Sequence, residues 1–589
     1  MQNTKFLKMF AAGLAVMFVG ALYAGYDEYP YQYAQNQIPE HIAPTSDVAA
    51  AIHQTVEPGK AEVGKFSLTK GDVDVSLSGG VTQKWMGYHN IYTLRSHNND
   101  QQGYLLGKGN LCLDATVGRQ MFGESAADAR LELLSRGVWR RSDGSRIDYL
   151  EAHMNQVWIN FHLGVFYKPF GNWFSLKDYP IDVKMGWFPY ELGRGITLGH
   201  GQTEAWYMGF SNVFDSNTYL RDIDRRDLIE PGILLHGAIS KDITYDLYYS
   251  RHTERGLTYG GTNPTKTQGV AKDRDIFAGR MDFMHERGWG NLHAQPYMMY
   301  MDESHSYLGT NYFGAIRLGT VGLMLNYEKN KFCMGAEAAG QYGHLAPLYD
   351  QSTDYPRVNL RGIMGLVDAK YSFETVPMSV AVAAAHISGD HDPRRGDTPQ
   401  TSIRHRGFVP YGDGNYVGKF VNSQIMLEAR KLPRPLYRPG LTGNNRLLTV
   451  ERETMHNLQY LGMGTCWKPF SERERLVFES NALFFWESTT MPKWNRGSGV
   501  GDYGTLSDND ASRFLGTELN FDMKYRPLSN CCLMAQLACF IPGQLYKDVD
   551  GWRVSDTNYQ NIPSLQNQGV YGLGHNHVWR GALMASFEF

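Results

Sequence analysis

The chain has 589 residues, and its 57 Lys+Arg against 60 Asp+Glu give a net charge of −3, which lacks the basic excess of a nucleic-acid binder. Hydrophobic residues at 42% exclude wholesale disorder, and a mean hydropathy of −0.40 excludes a bundle of membrane helices, each of which needs roughly 20 apolar residues. A membrane β-barrel survives both tests, because only alternate residues of its strands face lipid, and 13% aromatics with 63 glycines suit a large all-β protein.

In chain order, Lys5 and Lys8 precede an apolar run from Met9 to Leu22 and the small residues Ala24-Gly25. A basic start, an apolar stretch too short to span a bilayer and a small residue before the cut predict a signal peptide over 1–24. Residues 25–68 are polar and broken by Pro30, Pro39, Pro44 and Pro58, and are predicted as a periplasmic extension or a segment tucked into a barrel mouth.

From residue 69 to 589 the period is two. Val73, Val75 and Leu77 alternate with Asp74, Ser76 and Ser78; Leu111, Leu113, Ala115 and Val117 alternate with Cys112, Asp114 and Thr116. Tyr245 and Leu247 alternate with Asp246 and Tyr248, and Leu519, Phe521 and Met523 with Glu518, Asn520, Asp522 and Lys524. Such alternation puts one set on each face of a strand, and a polar set rich in carboxylates and lysines predicts a wet interior. Strands are expected near 71–87, 103–121, 127–140, 150–164 and 180–190, and about eighteen in all. Tight connections at Ser240-Lys241-Asp242, Arg287–Gly290, Glu328–Lys331, Glu374–Pro377, Phe470–Arg473 and Pro527–Asn530 alternate with long ones at 253–272, 303–310, 345–356, 389–454, 488–510 and 542–572. Short periplasmic turns against long extracellular loops predict a transmembrane antiparallel β-barrel in an outer membrane, with outer-membrane lipid as its surroundings. The run Phe420–Ala429 also reads as an extra strand, but is assigned to a loop folded into the lumen. The closing Leu583, Ala585, Phe587 and Phe589 share one face, and a last strand ending in Phe resembles the signal read by the barrel assembly machinery.

The six cysteines form no C-x-x-C pair and read as small apolar side chains rather than metal ligands or a disulfide framework. Asp390, Asp392 and Asp397 echo a calcium loop, but Arg395 stands where its sharp turn needs Gly. With no Gly-x-Ser-x-Gly elbow and no phosphate-binding Walker loop, no enzyme, cofactor or metal is predicted.

Parity gives the candidate pore-lining residues: Lys184, Arg280, Arg361, Lys524 and Arg580 among bases, and Asp74, Asp114, Asp246, Asp282, Glu337, Glu479, Glu518 and Asp522 among acids. This set is not basic overall, and facing Arg–carboxylate pairs holding the wall are one reading of it. The basic stretch of the longest loop, with Arg430, Lys431, Arg434 and Arg438, either folds inward as a constriction or is a solvated surface loop.

Two segments resemble the alginate export family of outer-membrane barrels. One is Leu515-Gly516-Thr517-Glu518-Leu519-Asn520 with Tyr525 and Phe540-Ile541-Pro542-Gly543, where the family tends to have Asp in place of Asn520. The other is Ser388-Gly389-Asp390-His391-Asp392-Pro393. Val183-Lys184-Met185-Gly186 with Gly193-Arg194-Gly195 is similar to the family's early Gly-Arg-containing strand, although Trp187-Phe188-Pro189 stands where the family usually has Arg-Gln. The resemblance implies a passive channel for small solutes or an anionic oligo- or polysaccharide, with bases at its narrowest point. The rival expectation is a non-conducting surface barrel, an adhesin or major antigen, plugged by the 389–454 loop.

Overall fold

The computed structural model describes residues 66–589 apart from 92–93, 95–100, 123, 142–148, 167–180, 200–230, 255–271, 289, 304–306, 309–310, 313–315, 346–357, 390–402, 409–419, 428–433, 438–447, 452–456, 471–474, 496–504 and 551–572. The predicted signal peptide and the Asp390–Asp397 stretch therefore lie outside the described residues.

Eighteen strands form one closed antiparallel barrel. They are β1 (Val73–His89), β2 (Gln101–Val117), β3 (Ala127–Arg141), β4 (Tyr149–His162), β5 (Ile181–Trp187) and β6 (Pro231–Ser240). Next come β7 (Ile243–Glu254), β8 (Lys272–Arg287), β9 (Gly290–Glu303), β10 (Ile316–Lys329), β11 (Phe332–Leu345) and β12 (Ile363–Ser372). The last are β13 (Met378–Ile387), β14 (Leu458–Trp467), β15 (Leu476–Trp486), β16 (Phe514–Leu528), β17 (Cys531–Pro542) and β18 (Val578–Glu588). Each strand pairs with its neighbours in sequence, and β18 returns to β1 from Gly80↔Glu588 to His89↔Trp579. Closure of β18 on β1 pairs the first and last strands, as crossing a hydrocarbon layer with strands requires.

The seam has two parts. Below the β1–β18 pairing, the short strand Phe66–Lys70 turns back on Val73–Leu77, so chain pairing begins three residues inside the stretch assigned to the extension. Between them Gly79 exchanges both backbone hydrogen bonds with Phe589, each 2.8 Å. A Cβ at Gly79 would fall 2.9 Å from the Phe589 ring, so only glycine lets the terminal aromatic lie against β1.

The outer face is apolar, as the alternation requires: Leu113, Phe521 and Phe587 are exposed together with Trp85, Val321, Val382 and Leu583. Tyr245 lies on that face too, half-covered over Gly237 and packed with Ile243 and Met281. Phe521 is 41% exposed and its neighbour Asp522 is 1% exposed, so adjacent side chains meet opposite environments. Phe521→Arg is accordingly expected to cost roughly 2–4 kcal/mol of folding free energy in lipid vesicles, read by urea titration. A larger loss from Asp522→Arg with Phe521→Arg silent would invert the assignment of faces.

The tight connections at Ser240–Asp242, Glu328–Lys331, Glu374–Pro377 and Pro527–Asn530 occur at one end, with Phe66–Lys70 and Phe589, while Trp289 and residues 471–473 of the other two lie outside the described residues. In the two-residue turn after Lys329, Asn330 takes φ +53°, the left-handed geometry that hairpin turns demand. At the other end Pro492–Asn495 pairs Thr505–Asp510 and Gln544–Asp548 forms a short helix. With the six native cysteines replaced, Asn495→Cys should react with a membrane-impermeant thiol reagent on intact cells and Lys241→Cys should not. Reaction at both would break the proposed sidedness.

Two expected boundaries are corrected. β2 stops at Val117, because Gly118 (φ +100°) turns the chain into a single helical turn, Arg119–Phe122. β5 stops at Trp187 rather than near 190, and the chain then swings into the lumen.

Candidate functional site

The inward positions carry charges, and the register aligns them into a ladder. On β4, His162 lies between Asp128 of β3 (2.7 Å) and Asp182 of β5 (2.9 Å). Further round, His236 Nδ1 is 2.6 Å from Asp246, whose other oxygen accepts the Arg280 Nε–H at 2.7 Å. Asp282 stands 3.5 Å from the same guanidinium and is held by Gln295 (2.6 Å) and His293 (2.7 Å). Charged groups buried against one another in this way are tolerated only where partners and hydrogen bonds compensate for lost hydration.

Two segments enter the lumen from the loop-bearing end. The first, residues 188–199, follows β5. Gly193 N donates to Gln295 Oε1 at 2.8 Å and Arg194 N to Glu337 Oε2 at 2.8 Å, while the Arg194 guanidinium grips Asp368 through two bonds of 2.8 and 3.1 Å. Tyr297 OH also donates to Glu337, at 2.6 Å, and meets Thr197 at 3.1 Å. Arg280 reaches back to the Glu191 carbonyl at 2.9 Å. Gly193 has φ +59°, and a side chain there would overlap the Glu337 carboxylate, so the turn needs glycine on both counts.

The second segment, Phe420–Leu427, comes from the connection between β13 and β14. Glu518 Oε1 accepts the N–H groups of Gln424 (2.6 Å) and Ile425 (3.0 Å), and its Oε2 accepts Met426 N–H (2.8 Å) and Ser423 Oγ–H (3.0 Å). Asp522 takes Gln424 Nε2 at 2.7 Å and Asn422 Nδ2 at 3.2 Å. Asn520 donates to the Asn422 carbonyl and Arg580 to the Gln424 carbonyl. Earlier in the same connection, Ile403–His405 pairs in parallel with Val358–Leu360 at the rim. Apolar side chains of both segments, Phe188, Tyr190 and Ile196 from one and Val421, Ile425 and Met426 from the other, belong to one continuous buried cluster.

The structure brings Arg280, Asp282, Glu337, Glu518, Asp522 and Arg580 to the lumen beside these segments. Lys524 is inward and paired with Glu479 at 3.3 Å. Lys184 is inward with its Nζ 3.8 Å from the Trp158 ring and 4.9 Å from the Phe188 ring. Arg361 is not inward. In β12 the even positions Met364, Leu366 and Asp368 face the lumen, so Arg361 falls with the exposed Ile363 and Val367 and lies 5.5 Å over the outward Tyr342 ring. Arg430, Lys431 and Arg438 lie outside the described residues; Arg434 begins the short strand Arg434–Tyr437, which pairs Leu448–Glu451, and its side chain is not described.

Arg194 and Asp368 were not among the candidates. Gly193-Arg194-Gly195 looked like part of a strand, whereas it forms a turn bracketed by the Leu192↔Leu198 bridge. Two glycines around an arginine, just past a strand end, were the available signal.

A closed barrel with an apolar outer belt, a charged ladder inside and inward-folded loops defines a transmembrane β-barrel of the outer-membrane type. Among solved structures the chain is similar to Pseudomonas aeruginosa OprD (9% identity over 88% of this chain and 96% of that chain, TM-score 0.41). It is also similar to OccK9 of the same organism (11%, 87% and 98%, TM-score 0.42) and to Acinetobacter baumannii OccAB2 (10%, 87% and 98%, TM-score 0.41). No family model and no curated protein matches the chain.

Proposed function

We propose that the protein is a passive outer-membrane channel for small solutes. The observation that carries this reading is that the lumen is lined by paired charges while the segments narrowing it are docked by side-chain and loop hydrogen bonds, separate from the strand pairing of the wall. A pore of this kind selects by width and by local charge, without a chemical step.

The narrower version, passage of an anionic oligo- or polysaccharide, is supported by the alginate-export resemblance and by Lys184, which shares the Trp158 ring with Arg130 at 5.9 Å. It has less support from the rest of the wall, where Arg280, Arg194 and Lys524 are each held by carboxylates. A plugged surface barrel is the second reading, favoured by the buried apolar cluster that both inward segments share.

Purified protein in planar bilayers separates the two. Stepwise conductance supports the channel. A sealed bilayer from protein that still migrates as a folded, heat-modifiable barrel overturns it in favour of the plug.

A further inference from the structure

The two inward segments are fastened differently. Residues 188–199 are held by β8, β9, β11 and β12 together, through Arg280, Gln295 with Tyr297, Glu337 and Asp368. The polar hold on Phe420–Leu427 comes mainly from one strand, through the inward positions Glu518, Asn520 and Asp522 of β16, with Arg580 of β18 added. At its centre stands a buried carboxylate whose two oxygens are filled by three successive backbone N–H groups and one hydroxyl, all from the segment itself. Among the described residues no basic side chain pairs with Glu518.

Resting on the channel reading, we propose that Glu518 is the latch of a movable constriction: Phe420–Leu427 docks and undocks about the Glu518-x-Asn520-x-Asp522 comb and so sets the pore width. A carboxylate is an acceptor at all its lone pairs, and four donors converging on it make one strong, separable contact. On release, the carboxylate returns to water in the lumen and the loop amides do the same, so both states keep their polar groups satisfied. The segment at 188–199, tied to four strands, lacks such a single point of release.

The test uses the full chain in lipid nanodiscs and planar bilayers. In the wild type the amides of Gln424, Ile425 and Met426 should exchange slowly. Glu518→Gln, which sets an amide N–H₂ against those donors, should speed their exchange about tenfold to a hundredfold. The amide of Leu519 should stay unchanged, and the mean conductance should rise with added flicker. Ser423→Ala removes one donor without altering the wall and should shift both readouts the same way, less far; it carries the test if Glu518→Gln does not fold. Lys331→Gln, in a turn at the opposite end, should change neither. Amides that exchange rapidly in the wild type, or that are unaffected by both lumenal variants, overturn the latch. A wild type that carries no current while Glu518→Gln still accelerates exchange keeps the latch and overturns only the channel reading.

Discussion

Arg194→Ala is expected to release the first inward segment while the barrel stays closed. The Arg194 guanidinium is 9% exposed and the Asp368 carboxylate 0%, so truncation strands a carboxylate in a site built for an ion pair. Breaking such a pair costs about 3–5 kcal/mol when the surroundings cannot adjust. Here the segment can leave, which caps the loss at its docking free energy and converts a stability defect into a local opening. Protease added from the loop-bearing side should cut within 188–199 in the variant and not in the wild type, with heat-modifiable migration retained. Arg194→Ala/Asp368→Ala should recover part of the loss, because the second change removes the buried negative charge as well; the coupling energy from the four-protein cycle measures the pair. Equal urea midpoints for wild type and Arg194→Ala would mean that the ion pair does not hold the segment.

Arg280→Gln should have the next largest effect, on both stability and ion preference. One guanidinium stands 2.7 Å from Asp246 and 3.5 Å from Asp282 and also holds the Glu191 carbonyl. Its removal leaves two lumenal carboxylates facing each other, held by His236, His293 and Gln295 without the guanidinium between them. The net change on the wall is one positive charge, so reversal potentials in a salt gradient should move toward cation selectivity. The shift should be largest at 0.01 M salt, where the Debye length is about 30 Å, and shrink by 0.1 M, where it is about 10 Å. An unaltered reversal potential would place Arg280 away from the path of the ions.

Much of this architecture was legible from periodicity. Leu113, Phe521 and Phe587 fall on the lipid face because a strand cannot shift by one residue without turning its whole apolar set inward. The tight turns were legible because few residues suit them. What parity could not give is anything decided at a distance. Ser423 is 95 residues from Glu518, and nothing local to the connection marks Phe420–Leu427 as the part that needs that carboxylate. Charge drew attention to Arg430–Arg438, which lies largely outside the described residues; the segment described in the lumen is Phe420–Leu427, part of the run assigned there from sequence, and it carries no charge and is apolar enough to pack there. Arg361 was misplaced although the register is unbroken: Gly343↔Leu360 and Gly340↔Ile363 lie on one ladder, and the alternation from Leu360 to Asp368 sets Arg361 with the outward Ile363 and Val367. Arg194 escaped because an arginine's role is set by the partner that neutralises it, and Asp368 lies 174 residues away.

The seam between first and last strands carries a consequence for how the barrel comes to exist. Asn90 donates to the His577 carbonyl across 487 residues of sequence, and β18 is only 11 residues long. Contacts so far apart along the chain reward their loop-closure entropy only after everything between them is in place. Until β18 docks, β1 and β17 each present a bare ladder edge that lipid cannot satisfy. A nascent chain lacking those last residues is therefore not a slightly weaker barrel but an open sheet with two sticky sides, and assembly is expected to be all-or-none, with Gly79 and the Phe589 ring meeting as the final event.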